Sequence, residues 1–201
     1  GIDTTPILLM EGIFELSEIS LIEKYNLIVT VCNSQQLQWI LDNEFSSPID
    51  VFVKYDSGMG RLGFQGDEFT NAINLLEENK NIGNITLMTH FSSADNLEDA
   101  TTNTQINDFN NALPSKNYPT SLANSAGIMG WSESHNNFIR PGIMLYGSSP
   151  FSDKSHLDKL TPAMTLSSAL ISIKDFKAGQ SIGYGNRYIC KQNMTIGVAA
   201  I

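Results

Sequence analysis

The 201-residue sequence predicts an α/β fold in which a parallel sheet is covered by helices. Two observations support this prediction. Up to about residue 150, short apolar runs alternate with segments whose apolar residues recur at the helical spacing. In addition, polar and glycine-rich clusters follow the apolar runs, and parallel α/β folds place their ligands at the carboxyl ends of strands.

The first predicted strand is the apolar run PILLMEG at 6–12, and a helix at 15–25 follows because its apolar residues recur on one face. The residues of this helix that we expect to face inward are Leu16, Ile19, Leu21 and Ile22. The run NLIVTVC at 26–32 is the second strand. Ser34 is a suitable N-cap for the next helix, which presents Leu37, Ile40 and Leu41.

The third strand is VFVKY at 51–55, and the helix predicted at 67–79 places Phe69, Ile73 and Leu76 on one face. ITLMTH at 85–90 is the fourth strand. The helix after it holds Gln105, Ile106, Phe109 and Leu113, and Pro114 ends that helix. Short strands at 119–123 and 138–146 complete the series of six.

Six strands fit two architectures: an open doubly wound sheet, and part of a closed barrel, which needs eight strands and usually about 250 residues. After about residue 155 the helical period disappears, and the sequence predicts strands joined by turns at 177–179 and 191–193. The polar segment 151–160 predicts a boundary between a domain at 1–152 and the start of a β-rich domain at 153–201. We interpret the final apolar residues, GVAAI, as a sign of truncation.

Composition excludes several classes of protein. A formal net charge of −9 and the absence of a Lys/Arg stripe argue against nucleic-acid binding. No apolar run approaches the roughly 20 residues that span a bilayer, and the N-terminus lacks the pattern of a signal peptide. Cys32 and Cys190 lie outside any metal or redox spacing, so we expect a cytoplasmic protein with no metal site and no membrane partner.

The strongest functional signal is the loop KYDSGMGRLGF at 54–64, in which three glycines accompany Asp56 and Arg61 directly after a buried-type strand. Glycines allow backbone N–H groups to approach an anion closely. Taken alone, this loop would more simply be a turn. Polar clusters after later apolar runs favour a ligand site, and they are THFSSAD at 89–95, SLANSAGI at 121–128 and NFIRPGIMLYGSSPF at 137–151.

Five motifs, KYDSGMGRLGF, THFSSAD, ANSAGI, RPGIMLYG and IGYGNRY, occur in an order and at separations similar to those of bacterial alanine racemases, which use pyridoxal 5′-phosphate (PLP). The resemblance runs over essentially the whole chain. It implies a partial (β/α)8 TIM-type barrel, followed by part of a mostly-β C-terminal domain, in an internal fragment of a longer protein. It also implies two-base interconversion of L-alanine and D-alanine for peptidoglycan, in a homodimer with shared active sites.

The resemblance assigns four residues to the cofactor. Ser125 resembles the serine that binds the phosphate of PLP, and the backbone of Gly142 and Ile143 resembles the rest of that phosphate site. Arg140 resembles the arginine that hydrogen-bonds the pyridine nitrogen. Because a guanidinium only donates, it should leave that nitrogen unprotonated, which favours reprotonation at Cα over transamination.

Four further residues receive roles in catalysis from the resemblance. Tyr184 matches the tyrosine that exchanges a proton with Cα, and His90, expected beside the cofactor, should hydrogen-bond that tyrosine and ease its ionisation. Arg61 resembles the arginine that contacts the substrate carboxylate and the phenolic oxygen of PLP. Lys54 matches a lysine that is N-carbamylated in many members, which would give an anion next to Arg61.

One feature of the family is absent from the sequence. In the family, a lysine on the first barrel strand holds PLP covalently and acts as the second base, and no lysine here lies in an equivalent motif. We therefore expect the 201-residue chain alone to be inactive. Two alternatives remain open: a racemase of serine or lysine, and a non-catalytic PLP-binding protein, which the β domain bearing Tyr184 disfavours.

Overall fold

The computed structural model describes residues 5–152 and 160–200. The chain divides into two compact units, residues 1–161 and residues 162–201. The first unit contains a parallel sheet with helices, and the second contains short antiparallel strand pairs. Most of the predicted boundary segment, 153–159, lies outside the described residues.

In the described part of the first unit, the sheet contains β1 (Ile7–Leu9), β2 (Leu27–Val31), β3 (Ile49–Lys54), β4 (Ile82–Met88) and β5 (Thr120–Ser121). The helices are α1 (Ile19–Tyr25), α2 (Ser34–Leu41), α3 (Gly66–Glu78), α4 (Thr101–Ala112) and α5 (Ser125–Gly130). Each strand pairs in parallel with the next strand in the chain, in the order β1-β2-β3-β4-β5. A doubly wound sheet reverses its order at a switch point, so the sequential order confirms the partial barrel.

The two faces of the sheet have different environments because successive side chains of a strand point to opposite sides. On one face, Val29, Val51 and Leu87 are completely buried in the core that the helices complete. Each such side chain contributes about 1.5–3 kcal/mol when it is removed from water. On the other face, Phe52 pairs in register with Thr86, and both line an open cavity of about 470 Å³.

Two of the predicted helices show why the local sequence folds as it does. Helix α3 begins with Asp67 and Glu68, whose negative charges interact favourably with the positive end of the helix dipole. Its apolar stripe is buried as predicted, with Phe69 and Leu76 completely inaccessible. Helix α4 ends at Ala112, just before the proline that was expected to stop it.

The first helix departs from the prediction at its N-terminal turn. Leu16 lies in a short 3₁₀ segment, and α1 starts only at Ile19. Ile19 and Ile22 are buried as expected, but Leu16 and Leu21 are 52% and 40% exposed, so their predicted inward orientation is wrong. The change of helix type rotates Leu16 away from the face that α1 presents to the sheet.

The predicted strand at 138–146 is also wrong. Phe138 forms only an isolated bridge with Ser121, and Ile143–Tyr146 is a 3₁₀ helix. Pro141 lacks the N–H that a longer ladder would need, and Gly142 turns the chain with φ −110° and ψ −98°. The sheet described here therefore has five strands instead of six.

A smaller error concerns the start of α2. The N-cap is Asn33, whose side chain accepts a hydrogen bond from the Gln36 N–H at 2.9 Å, and not Ser34. Both residue types are good caps, and adjacent candidates cannot be separated by propensity alone.

The second unit contains two antiparallel pairs in its described residues. Strand β6 (Leu170–Phe176) pairs with β9 (Met194–Ala199), and β7 (Ser181–Ile182) pairs with β8 (Tyr188–Ile189). The predicted β-rich C-terminal region is thereby confirmed, including a turn closed by the Gln180 N–H and the Lys177 carbonyl at 3.1 Å. Among the helices that the structure describes, none combines the length and the apolar character that crossing a membrane requires.

Candidate functional site

The polar clusters that follow β4 and β5 converge at the carboxyl edge of the sheet. There they line a cavity of about 290 Å³, whose wall includes His90, Ser125, Arg140, Gly142 and Ile143. These are five of the eight residues to which the sequence gave a role. The edge is the expected place for a ligand, because strand ends and their loops are positioned there by a rigid sheet.

Ser125 is held at the start of α5 by the residue before it. Asn124 caps that helix through its side-chain oxygen, which accepts from the Gly127 N–H at 2.9 Å. The Ser125 hydroxyl oxygen accepts from the Gly142 N–H at 2.8 Å and from the Met144 N–H at 3.4 Å. A hydroxyl and backbone N–H groups of a second segment are thus brought together, which is the arrangement that binds an oxyanion.

Gly142 also leaves room beside that hydroxyl. A Cβ atom at this position would lie 3.7 Å from the Ser125 hydroxyl oxygen, within van der Waals contact. Any larger residue would therefore narrow the space in which an oxyanion could approach the N–H groups. A Cβ at this distance is in ordinary contact and φ at Gly142 is negative, so the backbone itself does not require glycine here.

Arg140 crosses the floor of the cavity and is fixed by main-chain and side-chain partners. Its guanidinium donates to the Ser121 hydroxyl at 2.5 Å, the Thr89 carbonyl at 2.5 Å and the Leu122 carbonyl at 3.0 Å. Its Nε is buried and has no hydrogen-bond partner among the described residues. Burial lowers the pKa of Arg140 to about 10, so the group remains a cation near neutral pH.

His90 is uncharged near neutral pH. Burial, followed by the positive charges of Arg140, Lys54 and Arg61, lowers the pKa of His90 to about 4. Its Nδ1 lies 3.4 Å from an Nη2 of Arg140, which can only donate. We therefore assign the imidazole proton to Nε2, which leaves one N–H donor on the side away from the arginine.

Lys54 ends β3 and is only 5% exposed. Burial is the main cause that lowers the pKa of Lys54, and the nearby charges of Arg61 and Arg140 lower it further. Within the part of the chain that the structure describes, no acidic side chain forms an ion pair with it. A buried amine among cations is biased towards its neutral, nucleophilic form.

The loop that carries Arg61 is organised by an internal carboxylate. Asp56 accepts from the N–H groups of Gly58 at 3.1 Å and Gly60 at 2.9 Å, which the sequence suggested were available to a ligand anion. Gly63 has φ +126°, and a Cβ there would meet the Asp56 nitrogen at 2.7 Å. The glycines therefore fold the loop, and the exposed Arg61 remains as its free cation in the described structure.

Tyr184 is the one predicted site residue that lies in the second unit. It opens a 3₁₀ turn, Tyr184–Asn186, between β7 and β8, and its side chain is fully exposed. Gly183 and Gly185 flank it with φ of 75° and 68°. Within the second unit, the phenol of Tyr184 therefore projects from a tight turn and packs against no other described residue of that unit's core.

Sequence reasoning missed the residues that support the site from behind. Thr89 and Asn124 belong to recognised motifs but received no role. Gln105 was only placed in a helix, and the structure shows it 2% exposed with both ends of its amide hydrogen-bonded. A polar residue on an otherwise apolar face was the available signal, because buried polar groups need partners.

Comparison with known proteins assigns both parts of the chain. Residues 1–150 match the family model described as the alanine racemase N-terminal domain, and residues 163–201 match the alanine racemase C-terminal domain. An alanine racemase from Azoarcus sp. (strain BH72) is 38% identical over 198 residues, which are 98% of this chain and 56% of that protein.

Two solved structures are similar as well. The crystal structure of the biosynthetic alanine racemase from Pseudomonas aeruginosa superposes with a TM-score of 0.92 at 35% identity, over 98% of this chain and 55% of the other. The crystal structure of an alanine racemase from Bartonella henselae, which contains covalently bound pyridoxal phosphate, has a TM-score of 0.75 at 19% identity. This match covers 99% of this chain and 55% of the other, and it shows a shared fold. This chain spans about half the length of the curated relatives it matches.

Proposed function

The chain belongs to the alanine racemase family, and we propose that the protein carrying it interconverts L-alanine and D-alanine with PLP bound in the cavity at the carboxyl edge of the sheet. The observation that carries this proposal is the buried Nε–H of Arg140, which has no partner among the described residues. A buried unpaired donor is costly, and an acceptor-only ring nitrogen would satisfy it. Ser125 and Gly142 would hold the phosphate in the same cavity.

The residues present fit PLP on chemical grounds. When bound, PLP withdraws electrons from Cα of the amino acid and so makes its proton more acidic. Arg140 would limit that effect, because it stays protonated and cannot pass a proton to the ring nitrogen. The chain would therefore favour return of a proton to Cα over competing reactions such as transamination.

His90 would prepare the acid–base group on one face of the substrate. With Nδ1 facing Arg140, its Nε2–H is free to donate to a phenolic oxygen and to stabilise the phenolate. We propose that this oxygen belongs to Tyr184 of the partner subunit in a homodimer. Full exposure of Tyr184 on its own unit supports a role at another surface.

Arg61 and Lys54 would bind and organise the substrate carboxylate. Arg61 is exposed on its loop, and its positive charge is one of those that lower the pKa of His90. A cation placed there would attract an anionic substrate. In its unprotonated form, the amine of Lys54 can add to carbon dioxide, forming an N–C bond and releasing one proton. The resulting carbamate would be an anion next to Arg61 and would remove the repulsion between two cations.

The test uses the complete protein with added PLP. We expect D-alanine to form from L-alanine, and the Cα proton to exchange in D₂O, with a higher kcat/KM than for L-serine or L-lysine. A higher kcat/KM for serine or lysine would show that this amino acid, and not alanine, is the substrate. PLP binding without exchange for any amino acid would favour a non-catalytic carrier, and no PLP binding would contradict the proposal as a whole.

A further inference from the structure

Gln105 connects the loops that carry Arg61 and His90. It lies on α4, is 2% exposed, and uses both ends of its side-chain amide. Its Nε2 donates to the Ser57 hydroxyl and to the His90 carbonyl, each at 3.3 Å. Its Oε1 accepts from the Ser92 N–H at 2.9 Å and the Ser92 hydroxyl at 3.1 Å.

The orientation of this amide is fixed by its main-chain partners. A backbone N–H can only donate and a backbone carbonyl can only accept, so Oε1 must face Ser92 and Nε2 must face His90. The side chain is therefore specified at both ends. Removing it would leave the His90 carbonyl and the Ser92 N–H, on the two sides of Phe91, without their partner.

The contacts continue from Gln105 to the residues of the cavity wall. The Ser57 hydroxyl lies 2.7 Å from the Thr89 hydroxyl, in a buried pair between the ends of β3 and β4. The Thr89 carbonyl in turn accepts from Arg140 at 2.5 Å. One side chain on a helix is thus connected by hydrogen bonds to Arg140 and to the main chain of His90.

A second residue on α4 holds the same segment. Asp108, one turn after Gln105, accepts a hydrogen bond from the Tyr55 hydroxyl at 2.9 Å. Residues three apart lie on one face of a helix. Helix α4 therefore contacts Tyr55 and Ser57, which lie just before the first glycine of the loop that carries Arg61.

We propose that Gln105 is a positioning residue that fixes the His90 loop and the Arg61 loop relative to each other for the reaction proposed above. The inference rests on the proposed function, because it concerns the alignment of the substrate-binding and proton-transfer groups. Gln105 lies behind the cavity wall and contacts neither the cavity nor the proposed cofactor position. Its effect would therefore pass entirely through the residues that it holds.

The test uses Gln105→Met, which keeps the length of the side chain but removes its hydrogen bonds, and Gln105→Leu, which also removes them and adds no charge. The matched control is Asn107→Met, since Asn107 is an exposed amide on the same helix. Tyr55→Phe is a second control, because it removes the other contact of α4 with this segment. The complete protein is used, and the ¹⁵N-labelled imidazole of His90 is assigned by comparison with His90→Gln.

We expect both Gln105 variants to lower kcat/KM by about 10-fold to 100-fold, as for a small misplacement of reacting groups. We also expect the pKa of His90 to rise by about one unit as the loosened loop admits water. Asn107→Met should change neither quantity. Tyr55→Phe should lower the melting temperature but leave the pKa of His90 unchanged.

The titration separates this inference from the proposed function. An active racemase in which either folded Gln105 variant keeps the wild-type pKa of His90 and the wild-type kcat/KM would overturn the positioning role alone. A protein that racemises no amino acid would overturn the proposed function, while a raised pKa of His90 would still support the structural link. If Gln105→Met does not fold, Gln105→Leu provides the same comparison.

Discussion

Replacing Arg140 by methionine removes every donor from the floor of the cavity while it keeps much of the side-chain volume. The guanidinium donates to Ser121, Thr89 and Leu122, and two of these three acceptors are main-chain carbonyls. Hydrogen bonds to charged groups contribute about 1.5–3 kcal/mol each, but such losses are not additive and the apolar side chain offsets part of them. We expect the free energy of unfolding to fall by about 2–4 kcal/mol.

The same substitution should change the chemistry of the cavity. The charge of Arg140 is the second cause, after burial, of the lowered pKa of His90, so that pKa should rise from about 4 towards 6.5. Loss of the unpaired Nε–H removes the proposed partner of the ring nitrogen, and we expect PLP to bind at least about 10-fold more weakly. The ratio of pyruvate to D-alanine formed from L-alanine should increase.

Four measurements check these outcomes: urea unfolding, titration with PLP, NMR titration of His90 and analysis of both products. The control is Lys191→Met, which removes an exposed cation of the second unit outside the recognised motifs. Exposed substitutions usually change stability by less than about 0.5 kcal/mol, so the control should behave as the wild type. Unchanged PLP affinity and unchanged product ratio in a folded Arg140→Met protein would refute the role given to this arginine.

Three further predictions follow from the site. Because the pKa of His90 is lowered in the folded protein, this histidine is protonated only in the unfolded chain between about pH 6.5 and 4. The free energy of unfolding should therefore decrease as the pH is lowered through that window. The loss should reach about 2 kcal/mol after allowance for solvent screening, and a His90→Gln protein should show a flatter profile in urea titrations. Ser125→Ala should weaken PLP binding about 10-fold, whereas the exposed Ser132→Ala should not, and equal affinities would contradict the phosphate site. Tyr184→Phe should stop proton exchange at one face of Cα while PLP stays bound. Mixing this variant with the Arg140→Met protein should restore activity if two subunits share each site. Mixed subunits that do not regain turnover would argue against the shared site.

The order of elements could be predicted from the sequence because each element has its own local pattern. Alternation of apolar runs with amphipathic segments located β2, β3, β4 and the helices between them. The choice between a barrel and a doubly wound sheet was left open, because periodicity reports which face of a strand is buried and not which strand lies beside it. Only the sequential pairing of the strands decides that question.

Errors arose where a local signal competed with a backbone constraint. The run at 138–146 is apolar enough for a strand, yet Pro141 and the turn at Gly142 convert its second half into a 3₁₀ helix. The N–H groups of Gly58 and Gly60 look available in the sequence, but Asp56 accepts both. Spacing alone cannot show that a nearby carboxylate occupies donors that a ligand might use.

The cavity residues were found because their motifs are local, whereas their supporting contacts are not. Arg140 was identified from a short motif, but its partners Thr89 and Ser121 come from the ends of two other strands. Those contacts hold the guanidinium through Nη1 and Nη2, and its Nε has no partner among the described residues. The unpaired Nε supports the role proposed for this arginine, and it could be recognised only after the other hydrogen bonds had been placed.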